Sequence, residues 1–505
     1  MVLNATSFPG KVASARFGRG AGDLLLATTV VIGAAVFGVG LGHVGTSMGV
    51  VAMLALPAGI GAVALVSWSR AATMGLLCCA LPVGLLTVVE APVRIQVLDV
   101  ASVAVVGLIV VSRVIEGKAP LVWSPVMWWA VGFWAAAGVS VLAAPGLSLG
   151  VDQLISWGVA AAVVLAVPSS VERPVDLELL LGALLVAGAI VCLIALPEAA
   201  GTRVQYGAAL ISYRPTGIFS QPNELGSFAA ALTCGSLGVG LRAPRRWLRW
   251  LGLGVAVIGL AAAGLSYSRG AMIGVGVGVV VVILTAGQAR WRLIAALGVA
   301  LAVTVGSLAT GMAPERVVTV SERLSTIGSD SAVNPYDDRP SIWREATSLI
   351  AERPLTGFGP GSFPTASARA KGPDIWPTVR RPLGRWRLQP GADHAHNTPL
   401  TIGAELGLPA MGFLLALTGG VALLIVRVLR RRPSGAVAMG ATAGAGALAT
   451  FVGHGLVDFT LRNPVILTTL ALFVGLVLAC ERLSARVPGV ATSVTKDLVS
   501  QEVVV

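Results

Sequence analysis

The chain has 505 residues, of which 55% are hydrophobic and 12% charged, with a mean hydropathy of +0.84. That leaves too little charge to solvate a water-facing surface, which excludes a soluble enzyme, a secreted disulfide scaffold and a disordered chain. The net charge of +12 would suit nucleic acid, but arginines that orient a membrane protein explain it more simply, so no nucleic-acid partner is expected.

In chain order, a basic tail over residues 1–23 gives way at Leu24 to apolar runs of about 20 residues, the length that crosses a bilayer. Runs start near Leu24, Thr46, Ala71, Val97, Leu121, Val151, Leu179, Asn223, Trp250, Gly270, Arg292, Thr398, Gly435 and Asn463. The expected fold is all-α, a polytopic transmembrane bundle of about fourteen spans. Eleven spans occupy residues 24–312, a hydrophilic loop follows over 313–397, three spans occupy 398–481, and a tail closes the chain at 482–505. Leu24 onward reads as a span and not as a cleaved leader, because it is long enough to cross and no A-x-A site follows. Cys78, Cys79, Cys192, Cys234 and Cys480 all lie inside apolar runs without a CxxC spacing, and read as small packing residues.

The basic residues set the orientation. With the N-terminus inside, the inner segments hold 20 of the 36 Lys and Arg residues, among them Arg242, Arg245, Arg246, Arg249, Arg290, Arg292, Arg430, Arg431 and Arg432. The short outer segments hold only Arg94, Arg203, Arg214, Arg269 and Arg462, and the rest fall in the long loop, which translocates regardless of charge. That partition predicts an N-in, C-in protein with the loop outside the cytoplasm. His43, His394, His396 and His454 then lie at or near the outer face. No Lys or Arg falls mid-span, and Asp99, Asp152, Glu224, Glu405 and Asp458 lie near span ends. A proton- or ion-coupled transporter needs ionisable groups at membrane depth, so transport or lipid-linked-sugar flipping is the alternative reading.

Within the loop, Asp338 is an expected N-cap, Pro340 fits a first turn, and Ile342, Ala346, Leu349 and Ile350 make one apolar face of a helix that Pro354 ends. The next stretch, Gly357-Phe-Gly-Pro-Gly-Ser-Phe363, reads as a tight turn with no helix after it and not as a nucleotide loop. Trp376, Arg380, Arg381, Arg385, Trp386 and Arg387 interleave rings and charge, as a sugar or an anionic headgroup would require, or as a solvated insertion would tolerate. His454 and Asp458 share an i, i+4 spacing that predicts a hydrogen-bonded pair on one helix face. With no third ligand evident beside them, no metal site is expected.

Three segments together resemble the O-antigen ligase and O-antigen polymerase family of membrane glycosyltransferases. They are Arg214-Pro-Thr-Gly-Ile-Phe-Ser-Gln-Pro-Asn223-Glu-Leu-Gly226, Ser266-Tyr-Ser-Arg269-Gly-Ala-Met-Ile-Gly274, and the stretch from Arg339-Pro-Ser-Ile-Trp343 through Pro354-Leu-Thr-Gly-Phe-Gly359 to His396-Asn397 and Gly407. The last spacing is similar to a His-Asn pattern ending in Gly-x-x-Gly, with Ala410 in place of the second glycine. The likeness covers residues 206–463.

The resemblance implies transfer of a glycan from an undecaprenyl-diphosphate carrier to an acceptor hydroxyl at the outer face of the cytoplasmic membrane, in cell-envelope polysaccharide assembly. The acceptor is a lipid A-core sugar for a ligase and the next repeat unit for a polymerase. The donor carries its own leaving group, so no cofactor is implied. Arginine suits the diphosphate, because its planar fork binds phosphate oxygens and stays charged. Arg214 and Arg269 are the expected clamp, with Arg339 as a third. A histidine suits proton abstraction from the acceptor, and His396 is the expected base. Asn397 would steady the ring or bind sugar, with Asp393, His454 and Asp458 in support and His394 as a neighbour of no assigned role.

Overall fold

The computed structural model describes residues 69–89, 94–142, 147–200, 204–206, 209–211, 214–311, 318, 321, 339–371, 378–380, 386–388 and 393–486. The spans expected at Leu24 and Thr46, His43 and the Asp338 cap lie outside them. Among the described residues the protein is helical, and its strands form only two-stranded hairpins. Among the described residues nine helices are long and apolar enough to cross a membrane, and Arg70–Val83, Met127–Val141 and Arg269–Thr285 are shorter apolar ones. Every span start expected within the described residues falls at or near one of these helices.

The first half runs through α1 (Arg70–Cys79), α2 (Val97–Ile115), α3 (Met127–Val141), α4 (Leu147–Ser170) and α5 (Pro174–Ala195). Next come α6 (Pro222–Arg242), α7 (Arg246–Leu265), α8 (Arg269–Thr285) and α9 (Arg290–Ala309). The hydrophilic insertion supplies α10 (Arg339–Glu352) and α11 (Phe363–Lys371), and α12 (Thr398–Arg430), α13 (Gly435–Gly455) and α14 (Pro464–Ala485) complete the bundle. Local chemistry sets the starts. Ser268, Asn397 and Asn463 accept backbone N–H bonds as caps of α8, α12 and α14. Proline in the first turn opens α5, α6, α12 and α14, where its missing N–H costs nothing.

Buried share separates the middle of the bundle from its rim. In α6, α13 and α14, 83%, 78% and 78% of the apolar window is buried, against 6% in α9. Lipid offers as apolar a surface as leucine does, so helices associate through close packing of small residues. Gly238 of α6, for instance, lies so close to the Ala443 backbone of α13 that a Cβ would collide with it. All five cysteines are buried and free.

The two ends of the bundle differ. At one end Arg70 and Lys118 both pair with Glu116 and Glu172, and Arg113, Arg482 and Arg486 donate to the carbonyls of Ser169, Pro168 and Glu172. These bonds tie α1, α2, α4 and α14 together. At the same end Arg242 donates to the Ala286 carbonyl, and Arg431 reaches Glu481. The opposite end carries His394, His396 and His454.

Two features of the insertion depart from expectation. A helix does follow the glycine turn, since α11 begins at Phe363. Its first turn is stabilised by the carboxylate of Glu405, which accepts from Phe363 N at 3.1 Å and from Gly361 N at 3.0 Å. A negative charge at a helix N-terminus stabilises it, and this one lies too far along the chain to be seen locally. α12, in turn, is broken at Gly407, where φ is 83° and the helix resumes before Pro409. The turn docks on the break: Phe358 N, Gly359 N and Leu408 N bond Ala404 O, Glu405 O and Pro354 O.

Candidate active site

The first short half of α12 positions the site. Asn397 Oδ1 accepts from Leu400 N at 2.9 Å, and Asn397 Nδ2 donates to Leu456 O at 2.8 Å. That amide therefore caps α12 and fastens it to the end of α13, and neither of its groups is turned to the imidazole of His396. Just before the cap, His396 holds a left-handed backbone, φ 47°. A non-glycine residue there carries strain of about 1–2 kcal/mol, a feature that clusters at functional sites. Tyr267, φ 50°, does the same two residues before Arg269.

Asp458 gathers the cluster. It lies beyond the last turn of α13 with its side chain 2% exposed. Its Oδ1 accepts from His394 Nε2 at 3.1 Å, His396 Nδ1 at 3.0 Å and Phe459 N at 2.8 Å. Oδ2 accepts from Asn223 Nδ2 at 2.7 Å. Burial pushes this carboxyl up, but the hydrogen bonds from His394 and His396 outweigh it and hold Asp458 well below the usual carboxylate range. A carboxylate only accepts, so Nδ1 of His396 carries a proton, and in the neutral ring the lone pair is on Nε2. The His396 side chain is 27% exposed and that of His394 9%, so His396 is the ring that solvent or substrate can reach.

The arginines approach the same place. Arg214 donates through Nε to Ser266 O and through Nη2 to Asn223 Oδ1, both at 2.8 Å. Arg269, half-buried, opens α8 beside Gly270, whose α-carbon faces the His454 ring. Arg339, half-buried, opens α10 and stands near enough to His454 for its charge to act there. Arg462 bonds the carboxylate of Glu405 and the carbonyl of Asp393. Asp393 thus contributes its backbone, and the ring-orienting carboxylate is Asp458.

The expected His454–Asp458 bond is absent among the described residues. Helix α13 ends at Gly455, so Asp458 is off the face that an i, i+4 spacing assumes, and the buried Nε2 of His454 has no hydrogen-bond partner. The expectation that no third ligand-type group stands near is also corrected. One donor atom each from His394, His396 and Asp458 lies within 4.8 Å of the others, a spacing that a divalent cation could use. The N···O separations are hydrogen-bond lengths, however, and both rings are turned onto one carboxylate oxygen. In this structure both imidazoles are hydrogen-bonded to Asp458.

Residues 254–415 match the O-antigen ligase family. The chain carries an O-antigen ligase domain. The match supports, in general terms, a membrane glycosyltransferase of the O-antigen ligase type. The matched segment includes Arg269, Arg339, His394, His396 and Asn397, while Arg214, Asn223 and Asp458 lie outside it yet join the same cluster. No curated protein sequence matches the chain.

Around this cluster, sequence reasoning left four residues without a role. His394 precedes the His-Asn pair by two residues, and only the shared Asp458 oxygen distinguishes it from a bystander. Asn223 was legible as a helix start and not as a bridge. Buried Glu405 pairs with half-buried Arg462, a pairing that the lone acid near the start of α12 hinted at without naming its partner.

Proposed function

We propose that the protein transfers a glycan from an undecaprenyl-diphosphate carrier to a hydroxyl of a glycan or glycolipid acceptor, at the outer face of the cytoplasmic membrane. Membrane lipid surrounds about fourteen spans in an N-in, C-in arrangement, and residues 313–397 form the outer loop. The observation that carries the reading is His396: a reachable imidazole whose Nδ1 is fixed on buried Asp458, inside the matched family segment and tied through Asn223 to Arg214.

In this mechanism Nε2 of His396 takes the proton from the acceptor hydroxyl. The freed oxygen bonds the anomeric carbon as the bond from that carbon to the diphosphate oxygen breaks. Undecaprenyl diphosphate leaves with the electron pair, and Arg269 and Arg339, with Arg214 behind them, stabilise its charge. Asp458 stabilises the imidazolium that forms, as a carboxylate behind a catalytic imidazole does. Arginines supply the charge that a cation would otherwise bring, so no metal or other cofactor enters the scheme.

The test is transfer by the purified full chain in proteoliposomes. His396→Ala should lower the rate by about a hundred- to ten-thousand-fold, the usual loss of a general base, while donor binding persists. Wild-type transfer should continue in EDTA. Transfer at the wild-type rate by His396→Ala overturns the base, and activity lost in EDTA and restored by magnesium overturns the metal-free scheme.

A further inference from the structure

Asn223 occupies the second position of α6, and both ends of its amide are engaged. Oδ1 accepts from Arg214 Nη2 at 2.8 Å and Nδ2 donates to Asp458 Oδ2 at 2.7 Å. A guanidinium can only donate and a carboxylate can only accept, so the amide has one orientation. Asparagine is the small side chain that offers both groups here without charge. We propose that Asn223 is a positioning residue that joins Arg214 to the Asp458–His396 pair and sets how strongly the carboxylate draws on the imidazole. This rests on the reading of His396 as the base.

Each donor on a carboxylate shares its negative charge. Removing the Asn223 N–H leaves Asp458 to draw more on His394 and His396, and their protons are held more tightly. Aspartate at 223 would keep an acceptor for Arg214 but face Asp458 with a second negative charge, and the effect would be larger. The other charged or titratable groups around the cluster are His394 on the same oxygen, His454 at the end of α13, and Arg339, Arg269 and Arg462 at the mouths of their segments. Glu224, the next residue of α6, is turned away to Ser220. On the Oδ2 side Asp458 accepts the Asn223 N–H at 2.7 Å.

A general base works only when deprotonated, so a tighter proton moves the acidic limb of the rate to higher pH. The measurement is kcat for transfer in proteoliposomes from pH 5 to 9, with undecaprenyl-diphosphate-linked glycan as donor, for wild type, Asn223→Ala, Asn223→Asp and His396→Ala. The limb should move upward in both Asn223 variants, by roughly one pH unit in Asn223→Asp, the scale of a charge within hydrogen-bond reach. Asn223→Asp retains the Arg214 partner and the helix start, which gives a result even where Asn223→Ala fails to fold. A limb that stays in place while kcat falls equally at every pH makes Asn223 a structural residue only and overturns the proposal. A limb that survives His396→Ala instead overturns the base itself, and the coupling with it.

Discussion

One carboxylate oxygen holds two imidazoles and a backbone N–H, and that arrangement makes Asp458 the residue on which the others depend. Its carboxyl is held well below the usual range by the His394 and His396 bonds in spite of burial. A carboxyl depressed in the folded state contributes stability above its unfolded value of about 3.9, and that contribution is lost only as pH falls through the lower folded value. Asp458 therefore stays ionised from pH 8 to 5, and an acidic limb there belongs to imidazole. Asp458→Asn should lower kcat and move the limb to lower pH, because the imidazolium loses its counter-charge; the direction is opposite to that of the Asn223 variants, and a pH–rate series reads it. His394→Phe keeps the bulk but removes one donor, and roughly tenfold lower kcat is expected, about 1.4 kcal/mol. The His396-Asn397 pair was legible from its spacing to Gly407. The role of His394 was not, because its partner lies 64 residues away.

At the scale of elements, the broken helix α12 and the glycine turn make one unit. A helix interrupted at Gly407 exposes carbonyls that would be costly in an apolar setting, and the turn supplies the N–H groups that satisfy them. Glycine is required at 407 by φ 83° and at 357 because a Cβ would meet the Glu405 carbonyl. Glu405 then holds the start of α11, and Arg462 balances its charge while gripping the carbonyl of Asp393, three residues before His396. Arg462→Met leaves a buried carboxylate unpaired and should cost about 3–5 kcal/mol, read as a fall in Tm of the detergent-solubilised protein. Adding Glu405→Leu removes the stranded charge and should recover part of that loss. No recovery in the double variant would mean that the carboxylate's bonds to Gly361 and Phe363 outweigh the pair. Periodicity exposed the apolar face of α10 correctly, with Ile342, Ala346 and Leu349 buried. It could not expose α11, whose start depends on a carboxylate 42 residues further along.

For the whole molecule, hydropathy made the apolar helices legible because lipid demands length and apolarity of every crossing, a constraint that no tertiary contact overrides. Charge did the same for the ends. Arg70, Arg113, Arg242, Arg431, Arg482 and Arg486 bond one another's helices at one end, while Arg214, Asp458, His394 and His396 meet at the other. Arginine-rich ends face the cytoplasm in most polytopic proteins, so the end with the histidines should face outward. The crossings give the check. Helix α9 leaves an arginine-bearing start at Arg290 and ends at Ala309, and α12 runs from the site at Asn397 to Arg430. A reporter fused after Gly311 should therefore be active outside the cytoplasm, and one fused after Arg432 active inside it. A cysteine at exposed Asp393 should react with a membrane-impermeant thiol reagent on intact spheroplasts, since the five native cysteines are buried. Reporters on a common side would break the alternation between α9 and α12. Labelling at 393 only after lysis would put the histidine cluster on the cytoplasmic face, where a lipid-linked donor translocated outward would not reach it.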